Sequence, residues 1–194
     1  MSQPLFSGAD DSIVVAVNSC HTQFMDNAVL AITDIWFFVG IVCCIFAYAF
    51  YRQKPQMALL FCGLLIVAVG CSDFLCASII RPAVQQLRPT NPDNPISAML
   101  HIVGGHRGGR YGFPSCHAAN SFAIAIFSSL WFRKRWLAEV LMGWASLECY
   151  TRLYMGVHYP SDVVFGAGIG SLTSYLIYLL SKEIQRKVSN QHKK

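Results

Sequence analysis

Five long apolar runs, separated by short charged clusters, restrict this chain to few architectures. They cover roughly 29–51, 57–80, 116–132, 136–155 and 162–181. Each is close to the ~20 residues needed to cross a hydrocarbon core of about 30 Å. Only 13% of the 194 residues are charged, against about 25% in soluble domains, and the mean hydropathy is +0.43. A chain so poor in charge cannot cover a globule with ionised surface, so a bilayer is its solvent. The third and fifth runs are interrupted by small and polar residues, the pattern of helices packed on helices. The expected fold is an all-α integral-membrane bundle of about five transmembrane helices. Residues 12–26 read as one short amphipathic helix at the interface, within an N-terminal interfacial segment 1–28. With no repeat and no second core, residues 1–194 form a single membrane-embedded domain.

Charge placement orients the bundle. Arg52 and Lys54 follow the first run, Arg133, Lys134 and Arg135 the third, and Lys182, Arg186, Lys187, Lys193 and Lys194 the fifth. With alternating spans, these ten of fifteen basic residues share one face, which the positive-inside rule makes cytoplasmic. The basic tail 183–194 is then cytoplasmic. Arg81, Arg88, Arg107, Arg110 and Arg152 fall on the opposite face, where lysine is absent. Arginine is the residue suited to bidentate recognition of phosphate. The net charge of +5 does not point to nucleic acid, because no aromatic-interleaved basic stripe exists. The bilayer and a membrane lipid are the implied partners; no obligate protein partner is evident. Most of the eight cysteines lie in or beside apolar stretches, without disulfide-framework or metal-ligand spacing. No basic n-region of a signal peptide precedes Arg52.

Three segments on the arginine face carry the chemistry. They are Arg81 to Arg88-Pro89, then Pro114-Ser115-Cys116-His117, then Thr151-Arg152 with His158 and Asp162. The combination resembles the type 2 phosphatidic acid phosphatase family, whose signature is K-x6-R-P, then P-S-G-H, then S-R-x5-H-x3-D. By motif the resemblance covers about 73–170, and GGRYGFPSCHAANSF is similar to bacterial members. Three positions depart from the signature: Arg81 replaces its lysine, Cys116 its glycine and Thr151 its serine. None of these changes removes a catalytic group.

The residues support the same chemistry. Pro160 is a good first helical residue and disfavours helix at Tyr159, so His158 falls in a turn with Asp162 in the first helical turn. A carboxylate there fixes one imidazole nitrogen and leaves the other free to attack phosphorus. Ser115 opens a helix whose first amides form an anion site. His117 is placed to protonate a leaving oxygen. The implied catalytic set is His158, His117, Asp162 and Arg152. Arg81, Arg88, Ser115, Cys116, His117 and Arg152 are the expected phosphate ligands.

The implied activity is a metal-independent lipid phosphatase working through a phosphohistidine. It needs no cofactor and no metal site, because three arginines supply the charge stabilisation that phosphoryl transfer requires. Undecaprenyl diphosphate and lipid A phosphates are the substrates that a bacterial member suggests, in an inner membrane with the site facing the periplasm or cell exterior. A lipid phosphotransferase would use the same residues. A bis-histidine haem electron carrier would explain neither the arginines nor Asp162. The long 81–115 connection is a functional loop by its length. Within it, Gly104 to Gly112 reads as an ordinary glycine-rich loop or as a headgroup reader through Arg107 and Arg110. Glu148, four residues before Arg152, either orients that arginine or is paired for burial. Asp73 reads as a buried hydrogen-bonding group.

Overall fold

The computed structural model describes residues 8–191, with side chains described over 8–186. Lys187, His192, Lys193 and Lys194 of the expected basic tail lie outside the described side chains. The fold is an all-α membrane bundle. Its helices are α1 (Ala9–Ser19), α2 (Gln23–Ile32), α3 (Ile35–Arg52), α4 (Pro55–Phe74), α5 (Arg81–Val84), α6 (Cys116–Phe132), α7 (Arg135–Tyr154) and α8 (Pro160–Gln191). A π-helical stretch, Leu75–Ile80, joins α4 to α5, so that Pro55–Val84 is continuous.

Among the described residues, three helical stretches are long and apolar enough to cross a membrane by length and composition: Ile35–Arg52, Pro55–Val84 and Pro160–Arg186. The other two expected spans differ for physical reasons. The apolar α6 has only 17 residues, and α7 has 20 but carries Arg135, Glu139, Glu148 and Arg152. Both lean on neighbours more than on lipid. The charged Glu148 and Arg152 of α7 face inward, 2% and 4% exposed, as intramembrane charges do. Lipid-facing surface comes from stripes such as Val164, Leu172, Leu176 and Leu180 on α8, and from Trp36, Phe50 and Tyr51 on α3.

Two boundaries differ from the sequence expectation. The single helix over 12–26 is two helices, because the chain turns at Cys20 and His21 and Thr22 caps a new start by accepting from Met25 N–H. The first run begins at 35 rather than 29, because Asp34 accepts from Trp36 N–H and caps α3. Asp34 thus has a structural task. Glu139 pairs with Arg135 one turn away.

The core lies between α3, α4, α6 and α7, where Ile45, Phe61, Leu65, Phe127, Leu141 and Trp144 meet. At one end Trp131 Nε1 donates to Gln53 Oε1 at 3.2 Å. That contact puts the α3–α4 turn, with Arg52 and Lys54, beside the α6–α7 turn, with Arg133 to Arg135. Helices α6 and α8 run side by side in the same direction. Gly166, Gly170 and Ser174 of α8 face Ser115, Ala119 and Ala123 of α6. A Cβ at Gly166 or Gly170 would collide with the carbonyl oxygen of Ser115 or Ala119 respectively, and Ser174 Oγ donates to Ala123 O at 2.8 Å. Small residues every fourth position let two backbones approach closely. Their contact holds the starts of α6 and α8 together.

Candidate active site

His158 and Asp162 meet at the start of α8, as the sequence implies. His158 Nδ1 is 3.2 Å from Asp162 Oδ2. Asp162 also accepts from Tyr159 N–H and Gln86 Nε2, both at 2.9 Å, so the carboxylate is held from three sides. On the other side of the ring, Arg88 Nη1 is 2.9 Å from His158 Nε2 and also donates to Val157 O. Arginine only donates, so Nε2 is the acceptor and the proton sits on Nδ1, facing Asp162. The ring is 1% exposed. Burial, and next the charge of Arg88, hold its pKa well below the usual 6.5; Arg152, His117 and Arg81 add to the effect. His158 is therefore a neutral imidazole of fixed tautomer.

The three arginines of the motifs converge around it. Arg81 Nη2 donates to Pro114 O at 2.9 Å and to Cys116 Sγ at 2.8 Å. Arg152 Nη2 lies 3.9 Å from Glu148 Oε2, so Glu148 is both buried and placed to orient that arginine. Burial, then the neighbouring Arg81, pull Arg88 down to about 10, so it stays charged at neutral pH. Each guanidinium leaves one buried nitrogen without a hydrogen-bond partner: Arg81 Nε, Arg88 Nε and Arg152 Nη2. Buried unpaired donors cost about 1–3 kcal/mol each, more when charged. An anion among them offsets that cost. Among the described residues, no three His, Cys, Asp or Glu side chains gather as metal ligands.

Ser115 caps α6 by accepting from Ala118 N–H at 3.4 Å, and its own N–H donates to Asp162 O at 2.9 Å. The second and third motifs are thus tied backbone to backbone. His117, one residue into α6 and exposed, lines a cavity of about 210 Å³ with Cys116, Asp73, Asn120 and Glu148. Asp73 Oδ1 accepts from Asn120 Nδ2 at 3.0 Å, a hydrogen-bonding role as its sequence position implies.

The long loop folds back on the site. Leu87 and Tyr111 form an isolated antiparallel bridge, with Arg88 N–H donating to Arg110 O and Gly112 N–H to Gln86 O. A Cβ at Gly112 would stand 3.0 Å from Asp162 Oδ2 and 3.1 Å from Arg88 Cγ, so any larger residue would press on the side chains that hold His158. Sequence reasoning missed this glycine and Gln86; the nearness of each to a motif residue was the only local signal. Arg107 is engaged inside the loop, donating to Thr90 O and Ser97 Oγ, which braces residues 90–97. Arg110 is exposed and 3.5 Å from Asp93. It borders an open depression of about 430 Å³ that contains neither histidine.

Comparison with known proteins identifies the family and the fold. The model of the PAP2 superfamily matches residues 29–186. The chain belongs to this family. Among PAP2 relatives, it is 39% identical over 184 residues to a lipid A 4'-phosphatase of Bacteroides thetaiotaomicron, covering 95% of this chain and 82% of the relative. A lipid A 4'-phosphatase of Porphyromonas gingivalis is 27% identical, covering 86% of this chain and 70% of that one. The PAP2 fold itself is shared with the crystal structure of Aquifex aeolicus LpxE (TM-score 0.71, 21% identity, covering 91% of this chain and 98% of that one).

Proposed function

We propose that this PAP2 protein, a membrane lipid phosphatase, removes a phosphate from a lipid A-type or undecaprenyl diphosphate substrate by way of a phosphohistidine. The observation that supports this most directly is the set of three guanidinium groups, each with a buried nitrogen that makes no hydrogen bond, around a neutral histidine of fixed tautomer. Such a site is charged to receive a phosphoryl group and holds a lone pair directed at it.

In the structure Arg88 Nη1 engages that lone pair. A phosphate oxygen bound by Arg81, Arg88 and Arg152 draws Arg88 away and frees His158 Nε2. The nitrogen then attacks phosphorus in line, and the N–P bond forms as the P–O bond to the lipid breaks. His117, which takes up a proton once the anionic phosphate is bound beside it, delivers that proton to the departing oxygen. Water next attacks the phosphohistidine, giving its proton to His117, and the N–P bond breaks to release inorganic phosphate. Asp162 stabilises the charge on His158 throughout, and Gln86 and Tyr159 N–H hold Asp162 in place. Every charge on the phosphoryl group is met by arginine and backbone amides, so activity survives EDTA.

Lipid A phosphates rank first because a relative 39% identical over 184 residues, and a second 27% identical over 167 residues, carry that name. The site faces away from the cytoplasm and the C-terminus faces it, a placement supported by the ten-to-five division of Lys and Arg between the two ends. The test is phosphate release by purified protein from a panel of lipid phosphates without acceptor lipid. The wild type is expected to release phosphate, and His158→Ala to lose at least ~10³-fold in kcat. Release at the wild-type rate by His158→Ala overturns the nucleophile. Product formed only when a second lipid is added identifies a transferase.

A further inference from the structure

The cavity beside His117 has walls that the phosphate chemistry does not use. One turn along α6 from His117 stands Asn120, and one turn along α7 before Arg152 stands Glu148. Asp73 of α4 faces Asn120 and accepts its amide at 3.0 Å. The cavity these residues line measures about 210 Å³, and its remaining wall is Thr33 with Ile35 and Phe38 from the start of α3. Ile35 is 64% exposed on the outside of the bundle, so the cavity lies next to lipid.

Its polarity runs one way. Two buried oxygens there have no hydrogen-bond partner: Asn120 Oδ1 and Glu148 Oε1. Glu148 is 2% exposed, and its other oxygen faces Arg152 at 3.9 Å. Asp73 adds a carboxylate. Buried acceptors left unmatched cost free energy, and Asn120 Oδ1 and Glu148 Oε1 can be matched only by donors. An apolar leaving group would seal them away from water without partners. A leaving group rich in hydroxyl or amide N–H groups would satisfy them.

We infer that this cavity is the leaving-group subsite, and that Asp73 and Asn120 select an acylated sugar over an isoprenoid alcohol. This rests on the phosphatase reading above, with His117 standing between the arginines and the cavity. The sugar oxygen that bears the phosphate lies at His117, and its neighbouring hydroxyl or acyl-amide N–H groups donate to Asp73, Asn120 Oδ1 and Glu148 Oε1. The acyl chains leave past Ile35 into the bilayer. A site that lacks a hydrogen-bond partner for buried polar groups discriminates strongly against the substrate that fails to supply it.

The test measures two things in detergent micelles. The first is the ratio of kcat/KM for an acylated glucosamine 4-phosphate lipid to that for farnesyl phosphate. The second is the Kd of the same acylated glucosamine without its phosphate, which needs no turnover. Asp73→Leu and Asn120→Leu are expected to lower the ratio about tenfold and to weaken the phosphate-free lipid about tenfold. Asp73→Asn, which keeps an acceptor oxygen, restores most of both. A ratio and a Kd equal to wild type in the leucine variants overturn the subsite, as does a parallel loss on both substrates with no change in Kd. If the wild type binds the phosphate-free lipid and the variants do not, but no phosphate is released from either substrate, the subsite stands and the phosphatase reading falls.

Discussion

The two contacts that fix the surroundings of His158 are built by opposite means. Along the α6–α8 seam, backbone meets backbone: Gly166 and Gly170 sit against Ser115 O and Ala119 O with no room for a methyl group. Where α1 and α2 dock on the ends of α7 and α8, polar side chains do the same task. Asp10 accepts from both the N–H and the hydroxyl of Ser161. Asn18 donates to Tyr154 O and His101 O and accepts from His101 N–H. Asp26 accepts from Tyr154 at 2.6 Å and pairs with His101 at 2.7 Å, and His101 stacks on His21. The difference follows depth. Within the hydrocarbon layer, apolar packing gains nothing over lipid, and only close van der Waals approach holds helices together. At the rim, chain ends leave unpaired backbone groups, and side-chain hydrogen bonds can satisfy them.

The seam should therefore be brittle and the rim forgiving. Gly170→Val puts side-chain carbons where Ala119 O stands, which only a parting of the helices can relieve. We expect a loss of more than about 3 kcal/mol, little folded protein and no measurable phosphate release. Thermal melting in detergent and yield of monodisperse protein check this. A variant that melts within a few degrees of wild type would mean that the seam can slide. Next in size is Asn18→Ala, which leaves the three backbone groups of His101 and Tyr154 without their partner. We expect about 2–3 kcal/mol, since some of those groups regain water at the rim, and a fall in kcat of roughly tenfold as the α7 end loosens. Asp10→Ala is expected to cost about 1–2 kcal/mol, with a smaller loss of kcat. If Asn18→Ala proves as damaging as Gly170→Val, the contrast between seam and rim fails.

What the sequence disclosed divides along the same line. The apolar runs at 116–132 and 136–155 match α6 and α7 to within one residue, because the apolar character of a helix and the charged turn that ends it are local features of the sequence. The motif residues His158, Asp162, Arg81, Arg88, Arg152, Ser115 and His117 were legible through their resemblance to a family. Asp10 was not, because its partner lies 151 residues away and nothing local marks a surface-looking aspartate as buried. Gln86 reads as an ordinary loop residue, yet its amide holds Asp162. Arg107, a headgroup candidate by charge and loop position, also donates through Nη1 to Thr90 O and Ser97 Oγ, a role its charge did not reveal. Charge and spacing show which residues can meet a phosphate. They do not show which are already engaged by the chain itself.

The smallest effect, and the finest division between seam and rim, is in pH. His158 lies at the mouth of the seam, and burial, then Arg88, lower its pKa well below 6.5. Below pH 6.5 the unfolded chain takes up a proton at this residue that the folded chain refuses. Stability is therefore lost as pH falls through and below 6.5. Asp26, in the rim, behaves differently. Burial pushes its carboxyl up, but the hydrogen bonds from Tyr154 and His101 outweigh burial and hold it below its usual 3.8. Its contribution is fully present above 3.8 and is lost only as pH falls through the lowered value. Melting temperature between pH 7.5 and 5 should then decline in wild type and decline less in His158→Gln. Asp26→Asn should leave that slope as it is and flatten the loss below pH 4. Equal slopes between pH 7.5 and 5 in wild type and His158→Gln would show that the histidine takes up its proton in the fold as readily as out of it. The seam would then hold no buried neutral imidazole for the chemistry to use.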